Sequence, residues 1–182
     1  MSETIGWITQ LVVDANERRK RIATTLLQGL VASSWFAGVT MMGIASTHPA
    51  ALNALCNMLP GRSGYWTSIE PKAKSHSISG QNISRVGLSY IQENAPKALQ
   101  SSTVKYLRQA ELRGALFETN VEDGAVSLAD TTFYVDHCEP EEVLSSYVEQ
   151  KNWSLGPLRE GHEFLLVLPV TPSPFTSSTH SV

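Results

Sequence analysis

An α/β fold, with a mixed β-sheet flanked by helices, follows from three stretches near the start of the chain. Trp7 to Asp14 is an apolar run with polar borders, the pattern of a buried strand. Ile22, Leu26 and Leu30 recur four residues apart with Leu27 and Val31 beside them, which is one face of a helix. Trp35 to Ala45 is a second, nearly continuous apolar run, as a central strand covered on both faces requires. Strand, helix and strand in that order make a β-α-β unit.

Length and composition set the frame. A chain of 182 residues reads as one domain, here residues 1–170, followed by a Ser-, Thr- and Pro-rich tail at 171–182 that is expected to be disordered. A hydrophobic content of 42% supports a packed core. The net charge of -3 argues against a general nucleic-acid binder. The basic run Arg18 to Arg21 sits inside the strand–helix unit rather than in a tail, so no nucleic-acid partner is expected. Cys56 and Cys138 are far apart and read as reduced thiols. Met1 to Gly6 holds no apolar leader core, and no stretch approaches membrane-spanning length. The expectation is a cytoplasmic protein with no membrane contact.

Further along, Ser46, Thr47 or His48 caps a helix whose first turn takes Pro49. Leu52, Leu55, Cys56 and Leu59 form its face, and Pro60-Gly61 ends it. Residues 61–82 read as a long loop carrying Tyr65 and Trp66. Ile83, Val86, Gly87, Tyr90 and Ile91 predict a helix that Pro96 stops. A further helix carries Val104, Leu107 and Leu112 from a cap at Ser101 or Ser102 to Gly114. Asn120, Glu122, Asp123 and Gly124 make a turn. Thr131 to His137 has strong strand propensity. Pro140 opens a helix with Glu141 and Glu142 in its first turn and Val143, Leu144, Tyr147 and Val148 on its buried face. Asn152 to Pro157 is a turn, and His162 to Pro169 is the last strand. Asp136, His137, Cys138 and Glu139, with His162 and Glu163, are residue types for a metal site or a Cys-His nucleophile pair. Adjacent strand residues point to opposite faces, however, so His137 and Cys138 do not easily reach one metal, and the spacing matches no zinc signature; a strand end and helix cap is the expectation.

The chemistry concentrates where the first strand runs through the basic turn into the first helix. The first N–H groups of a helix have no partner within it, and the macrodipole adds partial positive charge. A phosphate or pyrophosphate fits such a place. The stretch from Gln10 through Arg18, Arg19, Lys20, Arg21, Ile22, Ala23 and Thr24 to Leu30 resembles the acyl-CoA-binding motif of the GNAT superfamily (GCN5-related N-acetyltransferases). That motif is a strand ending in Gln/Arg-x-x-Gly-x-Gly/Ala at a helix start. Here Arg18 fills its first position and Ala23 its last, while Arg21 stands where the family has glycine. The resemblance implies that the amides of residues 18–24 hold the CoA pyrophosphate. It implies that the backbone of Leu11, Val12 and Val13 pairs with the pantetheine arm.

The second unit is similar to the family's Asn-x-x-Ala-x-x-x-Tyr helix. Aligned on Ala51, His48 takes the Asn place and Leu55 the Tyr place. Leucine cannot donate a proton to a departing thiolate, so that route is closed here unless Tyr65, Tyr90 or another donor supplies it. His48 has two readings, a helix cap or a cofactor-contacting and catalytic residue. Asp14, Glu17 and His48 are the candidate bases. Residues 135–140 and 158–165 look like the C-terminal portion of GNAT-like proteins of fungal type. A complete domain of the superfamily has three strands and two helices before the strand placed at Trp7. The resemblance therefore implies an N-terminally truncated, GNAT-like chain, matched most firmly over residues 7–59.

The function so implied is transfer of an acyl group, acetyl foremost, from acetyl-CoA or another acyl-CoA to a small-molecule amine or metabolite acceptor. Two alternatives stand beside it. One is a degenerate, non-catalytic binding protein of this fold. The other is an enzyme recruited to different chemistry on a thioester or polyketide-like metabolite in a biosynthetic pathway. The first strand, lacking its usual neighbour, needs another. The runs at 131–137 and 163–168 are the later segments with enough β-character to fold back beside it, giving a monomer. The alternative is a homodimer through that edge.

Overall fold

The computed structural model describes residues 4–58 and 83–170. The loop expected at 61–82 with Tyr65, the helix end at Pro60-Gly61 and the tail at 171–182 lie outside the described residues. The described chain is α/β: a five-stranded mixed sheet with helices packed on it. The strands are β1 (Ile5–Ile8), β2 (Met41–Ser46), β3 (Glu111–Arg113), β4 (Leu128–Asp130) and β5 (His162–Pro169), in the order β1-β2-β5-β4-β3. The helices are α1 (Ile22–Ala32), α2 (Pro49–Met58), α3 (Leu88–Gln100), α4 (Lys105–Gln109) and α5 (Cys138–Glu149).

β1 and β2 run parallel, with Ile5 opposite Met41 and Ile8 opposite Ile44, and α1 makes the crossover between them. β5 lies antiparallel to β2 on one side and to β4 on the other, so the last strand of the chain is the middle strand of the sheet. Phe164 to Leu168 are buried on both faces, which is why this run carries no polar alternation. The core gathers around it from Met41, Met42 and Ile44 of β2, Leu52 and Leu55 of α2, Ile91 of α3 and Leu128 of β4. No helix among the described residues is long and apolar enough to cross a membrane.

Several elements differ from the sequence reading. The first strand is Ile5–Ile8, not Trp7 to Asp14; Val12 is 82% exposed and finds no strand opposite it. Asp14 instead caps a 3-10 turn at Ala15–Glu17, its Oδ1 accepting from Asn16 N–H (2.9 Å). Trp35 and Phe36 fall in another 3-10 turn, and β2 begins only at Met41, after Gly38 turns the chain at φ +83°. In α1 the expected apolar face is rotated outward. Thr24 and Leu27 are buried, whereas Leu26 is 59% exposed and Leu30 lies on the surface.

Pro96 does not stop a helix; it lies inside α3, which starts at Leu88 after a short 3-10 turn at Ile83–Arg85. The helix expected at 102–114 is only α4, and Leu112 belongs to β3. Residues 131–137 are not a strand. Thr132 takes φ +54°, its N–H donates to Asp130 Oδ1 (3.2 Å), and Tyr134 is 69% exposed. Val148, expected on the buried face of α5, is exposed. Neither candidate run folds back beside β1, since 163–168 is spent between β2 and β4. Among the described residues no strand lies on the outer edge of β1.

Candidate functional site

The pairing of β1 with β2 ends at Ile8 and Ile44, while β2 runs on to Ser46. Beyond Ile8 the chain from Thr9 to Val13 is not in the sheet, so β2 runs on past β1 at the carboxyl ends of the two parallel strands. In α/β sheets this is where ligands bind. Leu11 and Val13 are half-buried in this stretch, with Val12 outward. Their backbone groups are not part of the β1–β2 ladder.

The basic turn follows. Arg19 and Arg21 adopt positive φ, +64° and +62°, and Arg21 is the N-cap of α1 with ψ 15°. A left-handed residue at that position is what glycine ordinarily supplies, and L-residues adopt it at a cost. Arg21 therefore holds a backbone conformation that glycine adopts more readily. Arg21 O accepts from Thr25 N–H (2.9 Å), which leaves the N–H groups of Ile22, Ala23 and Thr24 without intrahelical acceptors. The Arg21 side chain is exposed. Thr24 is buried, and Ile22 and Ala23 are half-buried.

The other cations are engaged. Lys20 Nζ pairs with Glu17 Oε2 at 2.9 Å. Arg18 Nε donates to Val13 O (3.3 Å), which ties the turn back to the departing strand. Its guanidinium pairs with Glu139, in the first turn of α5. Arg19 lies close enough to Tyr147 to favour its phenolate electrostatically.

His48 sits where both sequence readings put it, at the start of α2. Its N–H donates to Ser46 Oγ (3.1 Å), and its Nδ1 accepts from Ala50 N–H (3.2 Å), so the imidazole is the helix cap. Burial, and then the Arg18 charge, hold its pKa below 6.5. The neutral ring with Nδ1 as acceptor carries its proton on Nε2, which lies 3.7 Å from Glu139 Oε1. Its Nδ1 lone pair is taken up by the cap, and Nε2 faces Glu139 without a hydrogen bond. Asp14 is spent on its cap and Glu17 on Lys20, so none of the three candidate bases is free.

Two residues at the site were missed as functional. Glu139 links Arg18 to His48, joining the starts of α2 and α5 and the turn before α1. Tyr147 was placed on a packing face. It does pack, stacked on Trp153 at 6.2 Å, which meets Phe164 edge-on at 4.8 Å. Its hydroxyl also accepts from Asn53 Nδ2 of α2 (3.3 Å). Burial raises the Tyr147 pKa, with Asn53 and Arg19 opposing, so the phenol stays protonated at neutral pH. Leu55 is fully buried in the core.

The cysteines are not activated. Burial pushes the Cys56 thiol up to about 12, and Asp136, whose Oδ1 accepts from Cys138 N–H (2.9 Å), raises Cys138. Among the described residues no group of three His, Cys, Asp or Glu side chains is placed to hold a metal ion. No protein-family model, no curated protein and no solved structure matches this chain.

Proposed function

We propose that the chain is a GNAT-like acyl-CoA-dependent N-acyltransferase, carrying acetyl or another acyl group from CoA to a small amine. The observation that carries the reading is the left-handed Arg21 at the start of α1, at the open end of a parallel strand pair. It supports the alignment of Arg18 to Ala23 with a pyrophosphate-binding turn at the position where the two sequences differ most. In this reading the free N–H groups of Ile22, Ala23 and Thr24 receive the pyrophosphate, with Arg18 and Arg19 adding charge. The backbone of Leu11 to Val13, released from β2, pairs with the pantetheine arm and aligns the thioester.

The amine nitrogen attacks the thioester carbonyl. The N–C bond forms, the C–S bond breaks, and no covalent enzyme intermediate is needed. The amine proton leaves to water, since none of Asp14, Glu17 and His48 is a free base among the described residues. The thiolate takes its proton from the Tyr147 phenol, held against α2 by Asn53, in the role that Leu55 cannot fill, and the phenolate regains a proton from water.

Calorimetry with CoA and transfer assays with labelled acetyl-CoA over a panel of amines test the reading. CoA should bind and raise the melting temperature by linkage, and Arg18→Glu with Arg19→Glu should abolish both effects without unfolding the chain. No binding at millimolar CoA would sink it. The occupied state of Asp14, Glu17 and His48 favours a second reading, a CoA-binding protein without catalysis. Binding without transfer to any amine selects that one.

A further inference from the structure

We infer that Glu139 is a built-in competitor for the anion site, and that it sets how strongly the protein discriminates between phosphate-bearing and phosphate-free acyl carriers. The inference rests on the CoA reading above and concerns the same site.

The Glu139 carboxylate occupies the Arg18 contact that the CoA reading gives to the pyrophosphate. It contacts the Arg18 guanidinium, the cation the motif assigns to pyrophosphate, and its Oε1 is 3.7 Å from Nε2 of the cap of α2. A carboxylate thus bridges the two groups that the resemblance hands to the cofactor. Both partners of the Arg18 contact are well exposed, at 41% and 52% of their side-chain surface. Exposed ion pairs are weak, so a ligand can break this one. α5 carries Glu139 on a loosely seated first turn, in which only Pro140 is buried.

The consequence is selectivity by charge. A phosphate-free thioester carrier gains nothing by displacing Glu139 and does not reach Arg18. A pyrophosphate must displace it and then sit beside it, so binding is lowered by the lost pair and by repulsion between like charges. Removing the negative charge should therefore help CoA and leave pantetheine alone.

The test is calorimetric titration of wild type, Glu139→Gln and Glu139→Ala with CoA and with pantetheine, at low and at high salt. Glu139 is half-exposed, so both variants should fold, and melting curves check this. The expected result is CoA binding about tenfold tighter in both variants at low salt, equivalent to about 1.4 kcal/mol. Pantetheine affinity stays unchanged, and the CoA gain shrinks in roughly 1 M salt. Equal CoA affinity in wild type and variants overturns the inference and leaves the CoA site standing. Weaker CoA binding in the variants also overturns it, because Glu139 then orients Arg18 for the ligand. Absence of CoA binding in all three proteins overturns the inference and the CoA reading together.

Discussion

Arg21 holds a backbone conformation in which an L-side chain is strained, and no side-chain hydrogen bond or ion pair of Arg21 among the described residues offsets the cost. Arg21→Gly should therefore stabilise the fold by about 1 kcal/mol, less whatever glycine adds to the entropy of the unfolded chain. Thermal denaturation reads this directly, and a clear loss of stability would show that the guanidinium makes contacts the geometry does not suggest. Gly43 presents the opposite situation. The Trp7 ring lies across it, so a Cβ added there would come within 2.7 Å of the ring. Trp7 Nε1 is buried with no acceptor among the described residues, and moving the indole would disturb the β1–β2 contact. Gly43→Ala should cost about 1–3 kcal/mol, the usual penalty of overpacking. A neutral effect in chemical denaturation would mean that Trp7 can swing away.

Elements differ in how far they could be read, and the reason is where their information resides. β5 was legible to the residue, because five buried apolar residues in a row need nothing but cover on both faces. α2 was legible because a local cap, His48, and Pro49 mark its start. The strand expected at Thr131 to His137 failed because propensity is not pairing; Thr132 turns the chain before a neighbour can be met. β3 and β4 are three residues each, too short to show a period, and exist because each has a partner. Glu139 was invisible as a site residue because only the packing of α5 against α2 brings it to Arg18. Among the described residues β1 pairs on one side only, and α1 turns Leu26 and Leu30 outward. Hydrogen exchange should therefore find outward-facing amides of Ile5–Ile8 exchanging far faster than those of Phe164–Leu168. Protection at every amide of β1 would mean that another chain covers the edge.

At the scale of the whole molecule, one charge network ties distant parts together. Arg159 donates from Nε to Asp123 Oδ2 (2.7 Å) and from Nη2 to Asp123 Oδ1 (3.0 Å), and Nη1 reaches Glu118 Oε2 (3.1 Å). This joins the β3–β4 connection to the approach to β5. The Arg159 hydrogen bonds lower the Asp123 pKa from 3.8 to about 2. A carboxyl depressed in the folded state contributes stability above its unfolded value, and that contribution is lost as the pH falls through the folded one. The acid limb of the stability curve should therefore steepen between about pH 4 and pH 2, and Arg159→Gln should flatten it there. Because Asp123 faces solvent, raised salt should flatten it too. An unchanged acid limb in the variant would remove the network from the account.

The last strand in sequence is the middle strand in space, and this governs how the protein comes into being on the ribosome. Until His162 to Pro169 has been synthesised, the β1-α1-β2 unit and the β3–β4 pair are two pieces with no strand between them. The nascent polypeptide must hold both apart, each with an unsatisfied edge, and then close them around one insertion. A message cut short anywhere before codon 162 would yield no shortened version of this fold, only two halves waiting for a keystone.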